Sequence, residues 1–151
     1  VAPDGRVRLS VPARATLAQA DEMVFRHAGW IEQRVQAAQS RPQEPLPDKA
    51  AALERFTRVS EQYFPLFEQV LNGQRPELNV RDMTTRWGVC APGKRRITLN
   101  LRLAARPQEQ VEYVVLHEYC HFVHPNHQAE FWALMTRLMP DWKQRRKALR
   151  E

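Results

Sequence analysis

The sequence predicts an α+β domain, a small, mostly antiparallel sheet packed on one central helix with additional helices around it. Three observations carry that expectation. Two β-type runs, 86–90 and 96–100, flank a turn-like link at 91–95 that contains Pro92 and Gly93. Apolar residues recur at helical spacing before and after these runs. The segment Val114-Val115-Leu116-His117-Glu118-Tyr119-Cys120-His121 joins an apolar helix to the pattern H-E-x-x-H.

The elements follow in order. Residues 5–11 alternate polar and apolar side chains, which reads as a strand. Thr16 and Gln19 fit a capping box, opening a helix to about Ala38 that carries Leu17, Val24, Trp30, Ile31 and Val35. His27 within it reads as structural. Residues 41–47 hold three prolines, a stiff connector and the best boundary. The chain accordingly divides into 1–47 (strand, helix and connector) and 48–151 (core). Leu53, Phe56, Tyr63, Phe67 and Val70 mark a helix from about Asp48 to Leu71, which Pro65 should kink or split and Gly73 should follow. Residues 78–80 form a short strand before the hairpin. The motif helix begins near Pro107 and runs to His124. Phe131, Leu134, Met135 and Leu138 line the next helix, and a basic helix follows Pro140.

The motif spacing makes a site. Residues four apart lie on one helical face, so His117 and His121 can aim at one ion. Glu118 lies one residue round, placed to hold a water rather than to bind the metal. A catalytic zinc takes three protein ligands and keeps a position for water, whose pKa falls from ~15.7 to roughly 7. The helix is apolar on almost every side through Val111, Val114, Val115, Leu116, Tyr119 and Phe122. Such a helix is buried, and burying His, Glu and His is costly unless they are paired or bind metal.

The third ligand must come from elsewhere. His124 would lie roughly 10 Å along the axis from His117 at ~1.5 Å per residue, too far for tetrahedral convergence on a straight helix. Pro125 biases His124 out of helical geometry. Asn126 can then cap a new helix with His127 in its first turn. His127 is the preferred third ligand, with Glu130, His124 or a more distant residue as alternatives. One divalent ion is expected, Zn²⁺ by motif, although imidazoles also suit Ni²⁺ and other transition metals.

Composition bounds the rest. The 151 residues make one domain, or one domain with an N-terminal appendage, and no apolar run near 18 residues offers a membrane span. No signal peptide is visible, although the sequence begins at Val1 rather than Met. Cys90 and Cys120 do not form a secreted-type framework, so a cytoplasmic setting is expected and Cys120 reads as packing. The formal charge is +6. Lys143, Arg145, Arg146, Lys147 and Arg150 supply much of it, read first as a solvated helix face and second as a footprint for nucleic acid or nucleotides.

Ordered blocks extend well beyond the motif. They read Met83-x-x-Arg86-Trp87-Gly88-x-Cys90, Ile97-x-Leu99-Asn100-x-x-Leu103, Tyr113-Val114-Val115-x-His117-Glu118-x-Cys120-His121, Asn126-His127-x-x-x-Phe131-Trp132 and Met139-Pro140-Asp141-Trp142-Lys143. In these blocks the chain resembles the YgjP-like metallopeptidase family, relatives of the SprT-like zincins, over about residues 78–150. The resemblance implies a minimal zincin-like fold with His117, His121 and His127 as metal ligands and Glu118 as general base. Val89 stands where the family usually has Ser, Tyr119 where it commonly has Leu, and Gln128 where it commonly has Ser. Arg86 reads equally as a residue orienting a substrate carbonyl or carboxylate and as half of a surface ion pair. Trp87, Phe131 and Trp132 read as core.

The expected function is a zinc-dependent hydrolase, foremost a metallopeptidase acting on a peptide or protein, which could add as a strand to an exposed edge of the hairpin. A metal-dependent nucleotide phosphohydrolase and a DNA-associated metal-binding module are the alternatives, both motivated by the basic charge.

Overall fold

The computed structural model describes residues 6–39 and 45–150. The chain divides into two compact units, Val1–Pro45 and Leu46–Glu151. No helix among the described residues is long and apolar enough to cross a membrane.

The first unit holds α1 (Leu17–Arg26) and α2 (Ala28–Gln39). The expected capping box is present: Gln19 N–H donates to Thr16 Oγ1 at 3.3 Å, and Thr16 N–H donates to Gln19 Oε1 at 3.0 Å. The single helix expected to Ala38 is instead two, because His27 leaves helical geometry at φ −106°, ψ 13°. The strand expected at 5–11 is also corrected. Residues 6–11 form no strand, and Gly5 lies outside the described residues. Their alternation is used differently: Val7 and Leu9 line an apolar cavity of about 490 Å³ with Met23, Val24, Trp30 and Ile31. A period of two needs a hydrogen-bonding neighbour to become a strand, and here the apolar side faces an open cavity beside the helices and stays largely exposed. Of the proline connector, residues 41–44 lie outside the described residues.

The second unit opens with α3 (Lys49–Phe67), whose N-cap Asp48 accepts from Ala51 N–H at 2.8 Å. Pro65 sits inside α3 without splitting it, two residues before its end. Beyond it Gly73 adopts φ 70°, the left-handed geometry glycine tolerates, and donates its N–H to Glu68 O at 2.8 Å.

Strands β1 (Glu77–Arg81), β2 (Gly88–Ala91) and β3 (Arg96–Asn100) form a sheet in the order β1-β3-β2. The expected hairpin is β2–β3, antiparallel, while β1 runs parallel to β3, so the sheet is mixed. The register places Val80, Leu99 and Gly88 in one row and Leu78, Ile97 and Cys90 in another. Ile97 and Leu99 are fully buried, so both rows face the core. β2 is an edge strand.

Helix α4 (Gln108–Cys120) lies at the centre of this unit, against β2 and β3, α3, α5 (Ala129–Leu138) and α6 (Trp142–Arg150). Nine of its residues are buried, among them Val111, Val115, Leu116 and Tyr119. That enclosure is what an all-round apolar helix requires. Two boundary expectations need correction. Regular helix stops at Cys120 rather than His124, with His121 at the C-cap and a turn through Val123. The cap of α5 is Gln128, not Asn126, so His127 precedes α5 instead of lying in its first turn. Pro125, two residues upstream, cannot continue a backbone hydrogen-bond ladder, and the loop it starts lasts longer than a minimal turn.

Candidate active site

The end of α4 and the loop before α5 bring His117, His121 and His127 together. One ring nitrogen from each forms a group whose atoms all lie within 4.8 Å of one another. His117 Nε2 and His127 Nε2 face each other at 2.9 Å. The His121 ring meets His117 edge-on at 5.0 Å between centroids and His127 at 4.6 Å. The alternatives His124 and Glu130 give no donor atom to this group. His124 acts through its backbone instead: its carbonyl lies 3.1 Å from His121 Nδ1. That contact leaves His121 Nε2 to face the group, as second-shell carbonyls do for ligating imidazoles.

Phe131 is the floor. It is fully buried and packs against all three imidazoles, with centroids 4.9, 4.7 and 4.8 Å from His117, His121 and His127. Trp132 stacks on the exposed His127 ring at 5.6 Å, and Trp142 stacks on Trp132 at 4.4 Å. An aromatic column thus fixes the one imidazole that lies on a loop.

The electrostatics suit metal binding. Burial, with repulsion from His121, His127 and Arg146, pushes the His117 imidazole down to about 3. His121 is lowered by burial and by His127, against the His124 and Pro125 carbonyls that raise it. Both rings are therefore neutral at physiological pH, with lone pairs available rather than protonated. His117 Nδ1 is buried with no hydrogen-bond partner, which leaves Nε2 as its working nitrogen. Three converging imidazoles fit a divalent transition ion.

Glu118 points elsewhere, against the edge strand. It is 5% exposed, and burial pushes its carboxyl up to about 8, opposed by the Cys90 N–H that hydrogen-bonds it and by the Arg86 charge. A methyl group at Gly88 would lie 2.8 Å from Glu118 Oε1 and 2.9 Å from its Cγ. Gly88 thus leaves the space that the carboxylate fills, and Cys90 uses an edge-strand N–H to hold it.

Asn100 holds the approach to that strand. Its buried side chain donates to Met83 O and Arg86 O, each at 2.8 Å, and accepts from Met83 N–H and Arg102 N–H at 3.3 and 3.1 Å. Gly88, Cys90 and Asn100 stand in the ordered blocks of the sequence, where spacing alone gives them no role. A glycine inside a strand was the available signal, because it marks close approach of another group. Arg86 is exposed and near enough to Glu118 to act on it electrostatically, and it forms no ion pair among the described residues.

A cleft of about 200 Å³ opens beside Glu118 and His117, walled by Trp87, Tyr113, Arg146 and Leu149 among others. Trp87 is only half-buried and lines this cleft, so it is not purely core. Cys120 is fully buried with its Sγ 3.5 Å from Met135 Sδ, the packing role expected of it. The basic α6 is more than a solvated face. Arg145 pairs with Glu112 and Asp141, both at 2.8 Å, and Arg146 lies over the Trp132 ring at 5.1 Å.

A family model described as YgjP-like, metallopeptidase domain, matches residues 49–151. No curated protein matches the sequence.

Proposed function

The chain belongs to the YgjP-like metallopeptidase family, and from that premise we propose a zinc-dependent peptidase in which His117, His121 and His127 hold the ion and Glu118 is the general base. We place the activity in residues 48–151 and the protein in the cytoplasm, where thiols such as those of Cys90 and Cys120 stay reduced. The observation that carries this reading is the pairing of a three-imidazole group with a buried carboxylate seated on an edge strand.

A bound zinc, or another transition ion suited to imidazole, would polarise an attacking water and a substrate carbonyl. The protein's part is positional. Phe131 and Trp132 keep the His127 ring in place, and the His124 carbonyl orients His121. Glu118 accepts the proton of the attacking water and passes it to the leaving amine. The Cys90 N–H restrains its rotation and, with the Arg86 charge, favours the carboxylate form that a base needs. The outer edge of β2 offers backbone groups to an extended peptide.

The test is Glu118→Gln. It should keep full metal content and lose roughly 10²–10⁴-fold in peptide cleavage. Wild-type rates in a metal-loaded variant would remove Glu118 from the mechanism.

A second reading rests on Arg137, Lys143 and Arg146 around Trp132 and Trp142, a basic and aromatic surface of the kind that binds nucleotides or nucleic acid. DNA binding that weakens steeply with salt, or phosphate release from nucleotides, would favour it. Absence of both would leave the peptidase reading alone.

A further inference from the structure

The cleft beside Glu118 has a direction and a charge. Glu118 and His117 line it, whereas His121 and His127 do not. A base that accepts the water's proton returns it to the leaving amine, so that amine departs on the base's side. The cleft therefore lies toward the part of a substrate that follows the scissile bond. Past Glu118 its charged groups are Arg146 and Arg150, while Tyr113 is a phenol held neutral by burial. Trp87, Val114 and Leu149 supply apolar walls.

Arg146 has the means to bind an anion. Its neighbour Arg145 is engaged by two carboxylates. Arg146 forms no ion pair among the described residues and is half-buried over Trp132. A guanidinium fork fits a carboxylate through two parallel hydrogen bonds, and apolar walls strengthen such a pair. The volume suits one side chain or one chain end.

We propose that this cleft is a carboxylate-accepting subsite for the residue after the scissile bond, with Arg146 as its selecting side chain. The carboxylate is either an Asp or Glu side chain or the α-carboxylate of a peptide's C-terminus. The proposal rests on the peptidase reading above, but it can be tested apart from it.

The experiment has a cleavage arm and a binding arm. Metal-loaded protein digests a peptide library with free or amidated C-termini, and mass spectrometry locates the cuts. Asp or Glu should be enriched directly after the cut if a side chain is bound. Cuts should fall next to free C-termini, and vanish on amidation, if the chain end is bound. In matched peptides the carboxylate form should exceed its Gln or amide form roughly tenfold or more in kcat/KM. Arg146→Gln should bring that ratio near one, Arg146→Glu should invert it, and Arg146→Lys, which keeps the charge and the stem packing, should retain part of it. Lys147→Gln, on the same helix but outside the cleft, should leave the ratio unchanged.

In the binding arm, fluorescence anisotropy follows the same peptide pairs on the Glu118→Gln protein. Cleavage without a carboxylate preference overturns the subsite and leaves the peptidase standing. No cleavage, but carboxylate-selective binding lost in Arg146→Gln, keeps the subsite and removes the peptidase. A preference that survives in a folded Arg146→Gln, or binding blind to the carboxylate, overturns the subsite.

Discussion

The carboxylate of Glu118 occupies the space above Gly88 that any other residue's Cβ would fill, with Oε1 2.8 Å from that position. A residue of the edge strand thus determines where the candidate base can stand. Gly88→Ala would push on the end of a side chain rather than on backbone, so folding should survive while the carboxylate moves. We expect a normal metal content, a small change in melting temperature and at least a ~10-fold lower kcat, since misplaced catalytic groups cost heavily. Gly93→Ala, where an added Cβ meets nothing within 4 Å, is the control and should behave as wild type. Equal activity in the two variants would show that the fit at Gly88 is irrelevant to turnover.

His127 is the exposed member of the imidazole group and sits on a loop. His127→Ala should therefore fold normally and bind zinc roughly a hundredfold or more weakly, given that outer-shell partners alone are worth 10–100-fold. Elemental analysis reads this directly. In wild type, chelation should lower the melting temperature, because an ion that binds only the folded chain stabilises it by mass action. The variant should show little such drop. Undiminished zinc in His127→Ala would send the third ligand elsewhere.

Tyr119 is fully buried, and its hydroxyl lies 2.6 Å from Ser60 Oγ, tying α4 to α3. Tyr119→Phe leaves the Ser60 hydroxyl without that partner. Urea unfolding should register a loss of about 1–3 kcal/mol. The double variant Tyr119→Phe with Ser60→Ala should recover part of the loss, since an unsatisfied buried hydroxyl costs more than an absent one.

Tyr63 predicts alkaline behaviour. Burial, reinforced by Glu112 and Asp141 against the opposing Arg145, raises its phenol to about 12. A raised pKa favours the protonated form in the folded state. The stabilisation is complete below the unfolded value near ~10 and is lost as pH rises through the folded one. Between about pH 10 and pH 12 wild type should lose on the order of 2 kcal/mol more than Tyr63→Phe. Parallel stability curves for the two would mean that Tyr63 ionises as freely folded as unfolded.

What could be read in advance follows the range of the interactions. The capping box, the buried motif helix and the hairpin are local patterns, and each appears, the motif helix ending at Cys120 rather than His124. His117 and His121 depend only on helical spacing. The features that could not be read depend on partners. Residues 6–11 carry a strand's alternation, but no neighbouring strand pairs with them. The parallel pairing of β1 with β3 involves segments that no turn motif joins. The seat of Glu118 on Gly88 and Cys90 needs the sheet to dock on α4, and no spacing within the motif encodes that. Pro125 marks the stop in the sequence at His124, whereas regular helix ends at Cys120 and a turn through Val123 follows, with helix-like hydrogen bonds such as His124 N–H to Cys120 O at 2.9 Å.

The imidazole group comes from the short stretch 117–127, while the seat of the carboxylate comes from a strand made earlier in the chain. Closing so short a loop costs little chain entropy, whereas docking the sheet requires the whole unit. On the proposed reading, holding the metal and seating the base draw on different segments, so a change confined to β2 separates the one from the other.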